Sequence, residues 1–409
     1  MAGNGDLELV PGDDGPRIDR RHLALCALLG AIWGAVLVFG LIERTGDASA
    51  LVHFAPPSTM ANLAPDELAV FPEGQGYDGQ FYYRLARSPL SASERVDGVQ
   101  FDDPALRMTR IGYPAVVLVA SLSPLDTVTS MAVVNVLAFG AAGAAGAALA
   151  VRAGRACWIG LIFLAVPSVT YGASMSITDA LAGALLVSAL ACLAGHRWFL
   201  AALVLSAAAL TRESTLMLPV ALILTALLGT RFGVSRSDRR DQAIVAVVPL
   251  SVALMWQVVV FLTWDDVGLI GAGGHNLTVP LFGPFQTDGF LSLSSGDAVL
   301  NILIPLGCLA VVVSAGIGLL RPATNTTPYP PPFLLIGFVL AALVATMLGP
   351  ALLETFRNSA RAVGEATVLA AAVALWNRNA WSRLAHGCLA LVGIVVIAWE
   401  FKVTVGLPV

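Results

Sequence analysis

Charge is what this sequence has least of. Of its 409 residues only 12% are Asp, Glu, Lys or Arg, 57% are hydrophobic, and the mean hydropathy is +0.80. A soluble domain carries about 25% charged residues, so a soluble globular chain is excluded. The formal net charge of −4 offers no basic footprint for nucleic acid, which is not expected as a partner. Cysteine is sparse and unpatterned: Cys26, Cys157, Cys192, Cys308 and Cys388 all sit inside apolar runs, without C-x-x-C spacing. Neither a disulfide framework nor a cysteine metal site is expected. His53 and His275 stand alone, so nothing in the spacing asks for a metal, and no cofactor is expected. No internal repeat, inverted or direct, is visible.

What the chain does have is a succession of apolar runs near the length a helix needs to cross ~30 Å of hydrocarbon. The expected class is all-α, a polytopic cell-membrane protein. Residues 1–21, with Asp13, Asp14, Arg17, Arg20 and Arg21, read as a disordered cytoplasmic tail ending in a positive anchor. The run from His22 to Glu43 is too long for a signal-peptide core and reads as an uncleaved first span, although Ala48-Ser-Ala50 mimics a cleavage site.

Topology turns on Ile111–Pro124, about 14 residues or ~21 Å of helix, too short to cross. It reads as a helix at the outer face. About eleven spans then follow, at 22–43, 126–150, 156–173, 180–195, 198–210, 214–230, 243–264, 298–320, 333–353, 362–376 and 384–400. This threading puts Arg152, Arg155, Arg197, Arg231, Arg236, Arg239, Arg240, Arg321, Arg378 and Arg383 inside, in accord with the positive-inside rule. The amino end lies in the cytoplasm. Residues 22–264 form a transmembrane module with an outer loop at 45–125, and 265–409 add a Gly-rich outer loop and the last helices.

The same threading brings several ionisable residues to the extracytoplasmic side. First is Asp78, in Phe71-Pro-Glu-Gly-Gln-Gly-Tyr-Asp-Gly-Gln-Phe-Tyr-Tyr-Arg84. A carboxylate there can act as general base toward a hydroxyl, and Gly79 lets a sugar ring approach; an ordinary Asp-Gly turn is the alternative. Tyr77, Phe81, Tyr82 and Tyr83 suit sugar stacking or an interfacial aromatic belt, with Gln80 beside them. Asp102-Asp103-Pro104 caps a helix on which Arg107, Arg110 and Tyr113 share a face. That face fits a phosphate or head-group snorkelling. Asp179 reads as an outer acid or, with Thr178, as a helix cap. Arg212-Glu213 interrupts two apolar runs; Arg212 reads as a phosphate contact and Glu213 as its orienter or as an acceptor for a sugar hydroxyl. Glu354, Arg357 and Arg361 could hold a lipid phosphate or pair along one helix.

Together these features resemble the GT-C membrane glycosyltransferases, which include protein and glycolipid-anchor mannosyltransferases and the lipid A aminoarabinose transferase. The resemblance is nearest to a bacterial branch with Tyr-Asp-Gly-Gln-Phe-Tyr in the first loop, here Tyr77–Tyr82. That branch also carries Arg-x-x-Arg-Ile-x-Tyr-Pro, here Arg107–Pro114, and a Thr-Arg-Glu turn, here Thr211–Glu213. It covers roughly residues 22–230. It implies a hexosyl or mannosyl transfer in the cell envelope from a polyprenyl-phosphate sugar, with inversion. In that scheme Asp78 is the base, Tyr77, Gly79, Gln80, Tyr82, Arg107, Tyr113, Asp179, Glu213 and Arg357 line the substrate, and Arg110, Arg212 or Arg361 steadies the leaving phosphate. The lipid-linked donor and membrane lipids are the implied partners. A transporter of a lipid-linked precursor and a non-catalytic scaffold are the other classes the sequence admits.

Overall fold

The computed structural model describes residues 19–65, 68–70, 76–269, 276–280, 283, 296–320, 329–353 and 355–404. Residues 1–18 of the tail expected at 1–21, the start of the polar stretch at 71–75, Arg321, Glu354, His275 and most of the 265–297 loop lie outside the described residues, as does the connector at 321–328. Arg20 and Arg21 already belong to the first helix.

The first helix, α1 (Arg20–Thr45), lies along α5 (Thr127–Arg152). Small residues allow the close approach: a Cβ on Gly30 would stand 2.4 Å from the Phe139 carbonyl oxygen, and one on Gly143 2.4 Å from that of Cys26. This is how helices pack in lipid, where contact distance replaces the hydrophobic drive. A 3₁₀ segment, Cys157–Ala165, then meets α6 (Pro167–Ser174) at a 61° bend. Pro167 at the first turn of α6 accounts for the break, since a proline disfavours helical geometry at the residue before it and Val166 is extended (φ −65°, ψ 121°). The bundle continues through α7 (Asp179–Ala194), α8 (Trp198–Thr211), α9 (Met217–Leu228) and α10 (Arg236–Trp264). It closes with α11 (Gly296–Leu320), α12 (Pro332–Thr346), the short α13 (Pro350–Leu353) and α14 (Phe356–Ala362), α15 (Gly364–Trp376) and α16 (Ala380–Thr404).

Six of the described helical stretches are long and apolar enough to cross a membrane, and the bent pair makes a seventh if it counts as one span. The protein is therefore a multi-pass membrane protein. Four shorter apolar helices, α7, α8, α12 and α15, stand among them.

Between α1 and α5 the chain builds a cap on one end of the bundle. It holds α2 (Gly79–Arg87), the hairpin β1 (Arg95–Val96) and β2 (Val99–Gln100), α3 (Pro104–Thr109) and α4 (Gly112–Ala120). Asp97 and Gly98 turn the hairpin with φ of 48° and 77°, the paired left-handed geometry that suits strand twist. Arg84, buried to 1% exposure, donates to the carbonyls of Ser93, Glu94 and Val99 and lies over the Phe101 ring. It fastens the hairpin to α2, and Arg87 pairs with Asp97 at 2.9 Å. Phe81, Tyr82 and Tyr83 are buried with Phe54, Phe101, Tyr113 and Met131 in the core of the cap. They form neither an interfacial belt nor a sugar platform, and their aromaticity serves packing.

Asp103 caps α3, accepting from the Leu106 N–H at 3.0 Å with Pro104 behind it, as its sequence indicates. The helix stops at Arg110 (φ −95°, ψ 44°) before α4 begins. Nine residues long, α4 is too short to cross. The far end of α10 docks on α3, Trp256 Nε1 donating to the Met108 carbonyl at 2.8 Å.

The opposite end of the bundle is basic. Arg155 donates to the carbonyls of Leu375 and Asn377 at 2.9 and 2.8 Å, and Arg378 to that of Gly154 at 2.8 Å. These cations satisfy the free carbonyls at helix C-termini.

Candidate functional site

Beneath the cap, five segments far apart in sequence deliver their ionisable side chains to one place. Asp78, at the start of α2, is gripped on both oxygens: Arg107 Nη1 lies 2.9 Å from Oδ1 and Arg361 Nη2 2.9 Å from Oδ2. Arg361 also turns its Nε to Asp179 Oδ2 at 3.1 Å and donates to the Tyr77 hydroxyl at 3.0 Å. That hydroxyl in turn donates to Asn358 Oδ1 at 3.0 Å. Asp179 takes Arg212 on its other oxygen. Arg212 continues to Glu365 Oε1 at 3.0 Å and to the Arg361 carbonyl at 3.0 Å. Beside this chain, Arg110 makes a two-pronged pair with Glu213 at 2.9 and 2.5 Å and donates to the Tyr82 hydroxyl at 3.3 Å.

Alternating sign is what makes such depth tolerable. Four guanidiniums (Arg107, Arg110, Arg212, Arg361) meet four carboxylates (Asp78, Asp179, Glu213, Glu365), so no buried charge stands alone. Exposure grades across the cluster. The Asp179 side chain is 1% exposed, whereas Asp78 is 16% and Glu213 21%. Asp179 is thus an internal tie, and Asp78 and Glu213 are the acids a ligand can meet. A void of about 10 Å³ between Asp179, Glu365, Ser168 and Gly183 adjoins the tie, the size of one water.

Burial by itself raises the Asp78 carboxyl, but Arg107 first, then Arg361 and Arg110, outweigh it and hold it well below the usual carboxylate range. Arg107 is correspondingly raised, because Asp78 overcomes its own desolvation. Burial pushes the Tyr77 phenol up, with Arg361 working against it. In this arrangement Asp78 is an anion clamped by two cations. It is not yet the poised base of the sequence reading.

Several local expectations change. Gly79 offers no space to a ligand: a Cβ there would stand 2.7 Å from the Met175 carbonyl oxygen and 2.8 Å from that of Val52. Its bare Cα lets α2 seat against the neighbouring backbone. Gln80 is buried and turned away, its Oε1 accepting from the Thr59 hydroxyl at 2.7 Å. Tyr113 is enclosed, its hydroxyl donating to the Met131 carbonyl and its ring edge-on to Tyr82. Tyr113 does not continue the face of Arg107 and Arg110, because α3 ends at Arg110 and Tyr113 belongs to α4.

Arg212 and Glu213 do not pair as phosphate contact and orienter. Backbone at Arg212 is extended (φ −157°, ψ 124°), which sends consecutive side chains to opposite sides. Each then takes a distant partner. Thr178 makes no capping bond to α7, and Asp179 spends its oxygens on guanidiniums. Arg357 leaves the cluster for Glu400, 3.5 Å away.

Glu365 and Asn358 complete the network without having been singled out in the sequence. Glu365 had a signal: it is the acid at the start of the otherwise apolar α15. Asn358 had none. Among the described residues no three His, Cys, Asp or Glu side chains group as a metal would need. No model of a known protein family matches the chain, and no curated protein matches it.

Proposed function

We propose that this protein is a GT-C-type membrane glycosyltransferase that moves a sugar from a polyprenyl-phosphate donor to an extracytoplasmic acceptor with inversion. One observation carries the reading: Asp78, in the Tyr77–Tyr82 motif, sits between Arg107 and Arg361 at the partly open face of the cluster. A phosphate-bearing sugar needs both kinds of group within reach of one another.

The topology supports it. Six long spans, the bent pair taken as one more and four shorter apolar helices read as eleven crossings. The basic end then lies in the cytoplasm and the Asp78 end outside. The short helices leave the protein-lined depth in which buried ion pairs are tolerated.

Chemically, an anionic donor must first compete for a guanidinium. Arg107 has the most open partner: besides Asp78 it holds Asp102 at 2.6 Å, and Asp102 is 47% exposed. A released Asp102 regains water at little cost, as for most surface pairs. Once the donor phosphate draws Arg107 away, Asp78 keeps Arg361 alone and its basicity rises toward that of an ordinary carboxylate. It then accepts the proton of the acceptor hydroxyl while the oxygen bonds to C1 of the sugar. The C1–O bond to phosphate breaks through an oxocarbenium-like state. The phosphate leaves with the electron pair, steadied by Arg107 and Arg361.

A transporter of the same lipid is less well supported, since the polar groups gather at one end and not near a midplane break. The test is a strain lacking the chain, complemented with wild type or Asp78→Asn and profiled for lipid-linked sugars and envelope glycans. The variant is expected to reach the membrane at wild-type level and leave the donor unconsumed. A wild-type profile from Asp78→Asn overturns the reading.

A further inference from the structure

The basic end holds a cavity of about 440 Å³ that the transfer chemistry does not use. Its walls come from the last turn of α5, the α7–α8 junction, the start of α10 and the entry to α12. Arg152 contributes a guanidinium laid over the backbone of Gly195, where a Cβ would come within 2.5 Å of Nη2. Unlike the four arginines of the opposite end, Arg152 has no carboxylate partner among the described residues; its one hydrogen bond goes to the Ala148 carbonyl at 3.4 Å.

Gln242 is a second signal. It lines the same cavity at 5% exposure, yet its Oε1 has no partner. A buried amide left open is costly unless something occupies the space beside it, and rotation about its last bond presents either the NH₂ or the oxygen. Asp238 also borders the cavity. Its Oδ2 accepts from the Ser235 hydroxyl at 2.8 Å, and His196 Nδ1 lies 3.8 Å from its Oδ1.

Trp198, Phe232, Phe333 and Trp376 complete the walls. Phe199, next in sequence to Trp198, and Leu203 and Leu227 on α8 and α9 are 50–79% exposed apolar side chains. A recess that offers a guanidinium with no carboxylate partner and an open amide beside apolar side chains matches an amphiphile that carries a phosphate. Guanidinium favours phosphate oxygens through two parallel bonds.

We propose that this recess binds the phosphate of an anionic phospholipid headgroup, held by Arg152 and Gln242, with the acyl chains lying against the exposed apolar side chains of α8 and α9. The site is separate from the Asp78 cluster and stands whether or not the transferase reading holds.

The test is native mass spectrometry of the purified protein released from nanodiscs of equimolar palmitoyl-oleoyl phosphatidylglycerol and phosphatidylcholine. Wild type is expected to retain phosphatidylglycerol preferentially. Arg152→Gln should lower that retention roughly tenfold, the loss of one charge-assisted contact. Arg87→Gln, on the far cap, should leave it unchanged. If Arg152→Gln does not fold, Arg152→Lys and Gln242→Leu keep the volume and should each weaken retention. Equal retention of the two lipids, full retention in the Arg152 and Gln242 variants, or an equal loss in Arg87→Gln overturns the proposal. Displacement of the lipid by millimolar inorganic phosphate alone assigns the recess to a free anion and overturns it as well.

Discussion

The guanidinium of Arg361 lies 2.9 Å from Asp78 and, through a different nitrogen, 3.1 Å from Asp179. One cation therefore couples the acid that faces the opening to the acid that faces the bundle. Any ligand that shifts Arg361 alters the charge balance at both, which makes α14 one element, beside α10, through which the carboxyl-terminal half acts on the cap.

Removing that cation should be severe. Arg361→Met leaves Asp179 with Arg212 alone and Asp78 with Arg107 alone, so a loss of about 3–5 kcal/mol is expected from uncompensated buried charge. Adding Asp179→Asn should recover part of it, because the two residues share one network. Thermal unfolding of the purified single and double variants measures this. Strict additivity would show that the network is not coupled as described.

Gly79→Ala tests the packing role assigned to that glycine. The added methyl meets two backbone oxygens, Met175 and Val52, at under 3 Å, and backbone cannot step aside as a side chain can. A destabilisation of about 1–3 kcal/mol is expected. If the residue instead served substrate approach, the variant would melt like wild type and lose only substrate affinity.

His53 gives a pH dependence of stability. Burial draws its pKa from 6.5 down to about 4, with Arg357 adding to the effect. Below pH 6.5 the unfolded chain takes up a proton that the folded chain refuses until about pH 4. Stability contributed by neutral His53 is therefore present above 6.5 and falls with pH across that window, at a limit of about 1.4 kcal/mol per unit. His53→Gln should flatten the melting-temperature profile between pH 6.5 and 4. A slope as steep as wild type would assign the effect elsewhere.

Which of these relationships could be read from the residues alone follows from their range. Helical class and the apolar runs are local properties, and so are the Asp103–Pro104 cap and the shortness of α4. The gathering of Asp78, Asp179, Arg212 and Arg361 at one end follows from counting crossings, since parity alone decides which loop residues share a face. Pairing is different. Arg212 and Glu213 are neighbours in the chain, but an extended backbone at Arg212 turns them apart, and nothing in the residue order announces that torsion. Gly79 beside an acid looks like an opening for substrate, yet its near neighbours Met175 and Val52 are set by tertiary packing. Glu365 could have been noticed as a lone acid opening an apolar helix, whereas Asn358 is legible only once Tyr77 lies against it.

The clamp on Asp78 predicts a kinetic signature for the proposed transfer. In the free protein Arg107 and Arg361 hold the carboxyl well below its ordinary value, so the acid limb of kcat/KM, which reports the free enzyme, should lie well under pH 4. In the donor complex Arg107 engages phosphate and Asp78 loses one of its two cations, so its pKa moves back up toward the ordinary ~3.9 of an aspartate or above. The acid limb of kcat, which reports the complex, should therefore sit at higher pH than that of kcat/KM. Arg107→Gln should narrow the separation, by raising the free-enzyme limb, and should raise KM for the donor. Limbs that coincide in wild type would mean that Asp78 is never released from Arg107. A carboxylate that tightly held is too weak a base to take a hydroxyl proton, so coincident limbs would remove it from the chemistry and leave it as an anchor for the two arginines.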